Sequence, residues 1–94
     1  MNLKNNHTED KAVSATLLFK GEGTATTLQI LKNQELKEHI TKVPALLICV
    51  VGKVVFENEK GVKETLRSGD TMNIDAFVKH WVIANETSQL LLLK

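Results

Sequence analysis

From Val13 onward, apolar residues recur in short runs with a period near two, and no stretch sustains the longer period of a helix. The runs are VSATLLF (13–19), TATTLQIL (24–31), ALLICVV (45–51), and residues 53–57, 62–66, 71–74, 81–84 and 89–93. Turn-forming clusters separate them: Gly21-Glu22-Gly23, Lys32-Asn33-Gln34, Gly52, Asn58-Glu59-Lys60-Gly61, Ser68-Gly69-Asp70 and residues 85–88. That spacing predicts an all-β sandwich or barrel. The segment NQELKEHI (33–40) is rich in helix formers, but Thr41-Lys42-Val43-Pro44 would stop a helix after about two turns, so it reads as strand or loop. Residues 1–12 are polar and without period. They read as an arm, flexible or recruited as an edge strand, with 13–94 as a single barrel domain.

Two runs depart from simple alternation. ALLICVV and Leu90–Leu93 are apolar on both parities, which predicts strands dry on both faces. In a thin two-layer domain the second face needs another layer, and a second copy of the chain supplies it most simply. A homodimer through a sheet face is therefore expected. The alternative is cover by the N-terminal arm of the same chain. The hairpin KVVFENEKGVKETL carries Glu57, Lys63 and Glu64 and reads as a solvated edge, where charge discourages stray strand pairing.

Parity also sorts the segment SGDTMNIDAFVKHWVIAN (68–85). Met72 and Ile74 share one face, predicted inward. After the turn, His80 shares its face with Val82 and Ala84, leaving Trp81 and Ile83 opposite. If His80 points into the barrel, Trp81 and Ile83 form an outward apolar patch, the expected dimer interface. Asp75, near that turn, is expected to cap backbone amides.

Composition narrows the partners. Lys and Arg number 12 against 11 Asp and Glu, a net charge of +1, which leaves no electrostatic footprint for nucleic acid or an anionic membrane. No apolar run approaches the roughly 18 residues of a membrane span, and the first residues lack a secretory h-region, so the expected compartment is the cytoplasm. The single cysteine, Cys49, lies between Ile48 and Val50 and reads as a buried thiol in a reducing interior.

The stretches LKEHITKVPALLICVVGKV and SGDTMNIDAFVKHWVIAN resemble the two motifs of small single-domain cupins, written G-x5-H-x-H-x3/4-E-x6-G and G-x5-P-x-G-x2-H-x3-N. The resemblance covers roughly residues 24–93. It implies a small jelly-roll, double-stranded β-barrel, often dimeric, with a divalent metal held by three histidines and a glutamate. In the first motif the first histidine is His39 and the last glycine Gly52, while the second histidine falls on Thr41, the glutamate on Ala45 and the leading glycine on Asn33. In the second motif the glycine is Gly69 and the histidine His80, while the proline falls on Asp75, the second glycine on Phe77, and the asparagine on Ala84 with Asn85 next. Of four implied metal ligands, His39 and His80 remain.

Ala45 cannot coordinate a metal, and Thr41, read as two residues along the same strand face from His39, offers a poor neutral ligand. Cys49 shares strand parity with Ala45 and could point inward, but it sits about 13 Å further along. No cofactor is therefore expected; a divalent metal on His39 and His80 is the exception to be tested. The favoured reading is a non-enzymatic small-molecule binding or sensing barrel with a pocket of His39, Thr41, Cys49, Met72 and His80. The alternatives are a metal-dependent cupin enzyme of dioxygenase or isomerase type, and a structural dimer whose histidines only satisfy hydrogen bonds. Nothing resembles a nucleophile elbow or a phosphate-binding glycine loop.

Overall fold

A computed structural model of the protein describes residues 2–7 and 11–94; Met1 and residues 8–10, part of the expected arm, lie outside the described residues. Nine strands are present among them: β1 (Val13–Lys20), β2 (Thr24–Ile30), β3 (Glu35–His39), β4 (Ala45–Val51), β5 (Lys53–Asn58), β6 (Lys63–Arg67), β7 (Thr71–Ile74), β8 (His80–Ala84) and β9 (Ser88–Leu93). Eight coincide with the apolar runs. The ninth, β3, is the segment rich in helix formers, where tertiary pairing with β8 overrides local propensity.

All pairings are antiparallel and build two sheets, one in the order β1-β2-β9-β4-β7 and the other β3-β8-β5-β6. No ladder joins the two sheets among the described residues, so side chains hold the halves together. Alternation decides which side chains do so. On β4, Ala45, Leu47 and Cys49 are buried and Leu46, Ile48 and Val50 half-buried; on β8, His80, Val82 and Ala84 are buried and Trp81 and Ile83 half-buried. The inward set meets Leu28, Ile30 and Leu90 from the same sheet as β4, and Val54, Phe56 and Leu66 from the facing one. Each fully buried large apolar side chain contributes about 1.5–3 kcal/mol relative to exposure, which a domain of this size needs.

The register of β9 resolves its all-apolar character. Leu90 pairs with Cys49 and Leu28 in the core, whereas Leu91 and Leu93 pair with Ile48 and Leu46 on the outer face and stay half-buried. Part of that outer face is covered by the chain's own N-terminus. Residues 3–6 form a 3-10 turn, Leu3–Asn6, rather than an extended arm or strand. His7 anchors it, with Nε2 3.1 Å from Thr27 Oγ1 and Nδ1 3.0 Å from Ser14 Oγ. Asn2, Leu3 and Lys4 stand across a crevice from Val50, Val51 and Gln89. The cover expected from a second copy is thus supplied in part by the chain itself. Among the described residues no helix is long and apolar enough to cross a membrane.

Candidate functional site

The site lies at one end of the inner surface, where His39 ends β3 and His80 opens β8. A register shift between Leu36 and His39 creates it. Leu36 faces inward against Val82, and three residues on, strict alternation would turn His39 outward. The irregularity restores it opposite His80.

The two rings are in contact, with centroids 4.2 Å apart and planes tilted by 58°. Phe56, in the core beneath, stacks on His80 at 5.7 Å and 22°. Each imidazole presents Nδ1 to a backbone carbonyl two residues earlier, His39 to Lys37 at 2.9 Å and His80 to Val78 at 3.1 Å. A carbonyl can only accept, so in the neutral rings Nδ1 carries the hydrogen and Nε2 is left as a bare acceptor. Burial lowers the His80 pKa below the ordinary histidine value; the Val78 carbonyl opposes that shift, and the neighbouring His39 adds to it. His80, 2% exposed, is therefore held neutral.

The loop before His80 is pinned by the adjacent β5–β6 hairpin of the same sheet. Glu59 Oε2 accepts from the Lys79 N–H at 2.5 Å, and the Glu59 N–H donates to the Lys79 carbonyl at 2.9 Å. Asn58 Oδ1 in turn accepts from the N–H groups of Lys60 and Val62, fixing the turn that carries Glu59. The carboxylate that caps a backbone amide before His80 is thus Glu59, while Asp75, expected in that role, is exposed; Asp70, in the β6–β7 turn, accepts from the Arg67 N–H.

Thr41 does not extend the strand face of His39. It sits beyond the end of β3, in a loop, yet only 3% exposed, with its carbonyl taking the Phe77 N–H at 2.8 Å. Its Oγ1 is buried without a hydrogen-bond partner. Cys49 is fully buried in the core, three residues before Gly52, whereas His80 pairs with Asn58 at the end of β5 remote from that glycine. The fold thus brings His39 and His80 together with Thr41 nearby in the chain, and leaves Cys49 towards the other end. Burial, with smaller contributions from Asp70 and Glu86, raises the Cys49 pKa and keeps the thiol protonated. Met72 is half-buried against the core beside Leu47, between the two ends. Trp81 and Ile83 lie on the outer face of the four-stranded sheet, with Trp81 Nε1 donating to Glu57 Oε2 at 3.0 Å. His7, assigned no role from sequence, is the hydrogen-bonded anchor of the N-terminal turn; a lone histidine in a polar segment carries no periodic signal that could reveal this.

The arrangement matches solved structures across the whole chain. A conserved protein of unknown function from Streptococcus pyogenes superposes with a TM-score of 0.83 at 20% identity, covering 99% of this chain and 82% of that one. A cupin superfamily protein from Desulfitobacterium hafniense gives 0.82 at 13% identity over 94% and 81%. A protein containing a cupin-2 domain from Shewanella frigidimarina gives 0.80 at 14% identity over 100% and 92%.

The chain has the cupin fold. No protein-family model and no curated protein sequence matches it, so the likeness is one of architecture. The metal site that the cupin motif implies does not fit the residues present. Among the described residues no three His, Cys, Asp or Glu side chains come together, Ala45 stands at the carboxylate position, and two imidazoles fall short of the three protein ligands of a catalytic zinc. What this cupin barrel offers chemically is a pair of adjacent Nε2 atoms that accept in the neutral rings, each Nδ1 being committed to a carbonyl. They can take hydrogen bonds from a bound molecule, and the neighbouring His39 adds to the burial that disfavours a proton on His80.

Proposed function

We propose that the chain is a small-molecule binding or sensing barrel of cupin fold, acting through its paired imidazoles without a resident metal and without catalysis. The observation that carries this reading is the pair of Nε2 acceptors, on rings 4.2 Å apart, with both Nδ1 atoms already committed to backbone carbonyls. A merely structural histidine pair would satisfy itself; here each ring keeps one nitrogen unpaired by protein. The ligand site of this reading is His39 and His80 with Thr41, and Met72 stands further along the inner face. Cys49 contributes to the core behind it.

The test combines elemental analysis of purified, untagged protein with melting temperatures measured in chelator against hydroxyl- and N–H-bearing fragments. The expected result is metal well below one ion per chain, and a fragment-dependent rise in melting temperature that survives chelator and disappears in His39→Ala. A firmly held divalent ion near one per chain, released in His80→Ala, would overturn the reading in favour of a metal-dependent enzyme of dioxygenase or isomerase type. Histidine variants that alter stability while no fragment binds the wild type would overturn it in favour of a structural dimer.

A further inference from the structure

Two loops frame the imidazole pair: residues 40–44, leaving β3 just after His39, and residues 75–79, entering β8 just before His80. The Phe77 N–H to Thr41 carbonyl bond ties one loop to the other. Both present apolar side chains to solvent, Ile40 and Val43 on the first and Phe77, 66% exposed, on the second. Among the described residues the other large exposed apolar side chains, Leu17, Leu18, Phe19 and Val51, lie on β1 and at the end of β4.

Phe77 is unusual in its backbone as well as its exposure. Its φ is +62°, the left-handed region, where a bulky side chain is a genuine outlier and glycine or asparagine sits more easily. Its solvent exposure leaves little packing to offset that strain. Strained backbone of this kind concentrates at ligand clamps, and Phe77 stands in the loop tied to Thr41 that leads into His80.

The polar groups below set the head of the ligand. With each Nδ1 on a carbonyl, His39 Nε2 and His80 Nε2 accept in the neutral rings, and Thr41 Oγ1 is buried with no partner. A carboxylate has no hydrogen to give the two Nε2 atoms, whereas a hydroxyl does. The charged residues of the two loops, Lys42, Asp75 and Lys79, are exposed and mixed in sign. We infer that the mouth takes an uncharged amphipathic molecule, an alkyl- or aryl-bearing alcohol or phenol, whose hydroxyl donates to the imidazole pair while its apolar body lies against Ile40, Val43 and Phe77. This rests on the imidazole pair being the ligand site.

The experiment uses the full chain in chelator, with phenol, 4-propylphenol and 4-propylanisole as probes, read by calorimetry and by the ¹⁵N signals of the imidazoles. The propyl chain is expected to tighten binding by about tenfold, and methylation of the hydroxyl to weaken it by about tenfold. Phe77→Asn keeps a residue that tolerates positive φ, so it should melt no lower than wild type yet lose the gain from the propyl chain. Ile40→Ser, at an exposed position, should lose roughly threefold on 4-propylphenol. If the propyl chain adds nothing, or Phe77→Asn binds 4-propylphenol as wild type does, the apolar rim is overturned even where phenol still shifts the imidazole signals. If the anisole binds as tightly as the phenol, the donor head is overturned. If no probe moves any imidazole signal, the ligand-site reading fails with it.

Discussion

His80 is a buried base whose neutral form the fold prefers, and this fixes the sign of a pH effect. Burial sets its pKa below the ordinary 6.5, with His39 pushing the same way and the Val78 carbonyl opposing. Below that ordinary value the unfolded chain takes up a proton that the folded chain resists, so protons favour unfolding. The contribution is fully present above about pH 6.5 and is lost progressively as pH falls towards the folded value. Denaturant midpoints of the wild type should therefore decline from about pH 7 to about pH 5.5. His80→Asn removes the titration while keeping an amide N–H able to reach the Val78 carbonyl, and its decline over that interval should be flatter. The absolute stability of the variant is set by the lost stacking on Phe56, so the slope is the measurement that decides. An unchanged slope would mean that His80 titrates alike in the folded and unfolded chain.

At the scale of elements, the strands were legible because alternation, turn clusters and one buried face all point the same way. Eight runs became eight strands with boundaries displaced by a residue or so. What was not legible depends on register. The irregularity that turns His39 inward leaves no mark in composition, and Thr41 lies in a loop, where strand parity has no meaning. The motif spacing located both histidines, but their 4.2 Å contact is a product of cross-strand pairing. Turns illustrate the same limit. Gly52 and Gly61 both stand in hairpin turns with positive φ, at +105° and +86°. A Cβ on Gly52 would collide with Ser88 Oγ and lie 2.9 Å from Ser88 Cα, whereas a Cβ on Gly61 would meet open space. Ser88 cannot step aside freely, since its Oγ accepts from the Lys53 N–H at 3.1 Å and donates to the Glu86 carbonyl at 2.7 Å. Gly61→Ala should cost about 1–2 kcal/mol, the conformational penalty alone. Gly52→Ala adds the steric clash and should cost roughly 3 kcal/mol or more. Urea unfolding of the two variants side by side checks the order; equal losses would remove Ser88 as the cause.

For the whole molecule the open question is what meets the half-buried outer faces. Two apolar features, the doubly apolar strands and the Trp81–Ile83 pair, read in sequence as parts of one dimer interface. In three dimensions they lie on the outer faces of different sheets, Leu46, Ile48, Leu91 and Leu93 on β4 and β9, Trp81 and Ile83 on β8. One two-fold contact between flat faces cannot use both. The surroundings favour the five-stranded sheet. There the leucine and isoleucine rows continue into a groove lined by Phe19, Pro44, Leu46 and Leu93, whereas Trp81 is tied to Glu57 and its sheet carries the Glu57–Lys63 and Lys53–Arg67 pairs. A stable dimer buries about 800 Å² per partner around a core depleted in charge, which that charged face is less suited to supply. We therefore propose a homodimer through β4 and β9. Ile48→Asp should convert a wild-type dimer to monomer in sedimentation velocity, with the monomer still folded because the residue is already half-exposed. Ile83→Asp should leave the dimer intact. The reverse pattern would move the interface to the four-stranded sheet, and a wild type that stays monomeric up to about 100 μM, where even a contact of modest affinity would be populated, would leave the N-terminal turn held by His7 as the sole cover that the outer face of β2 requires.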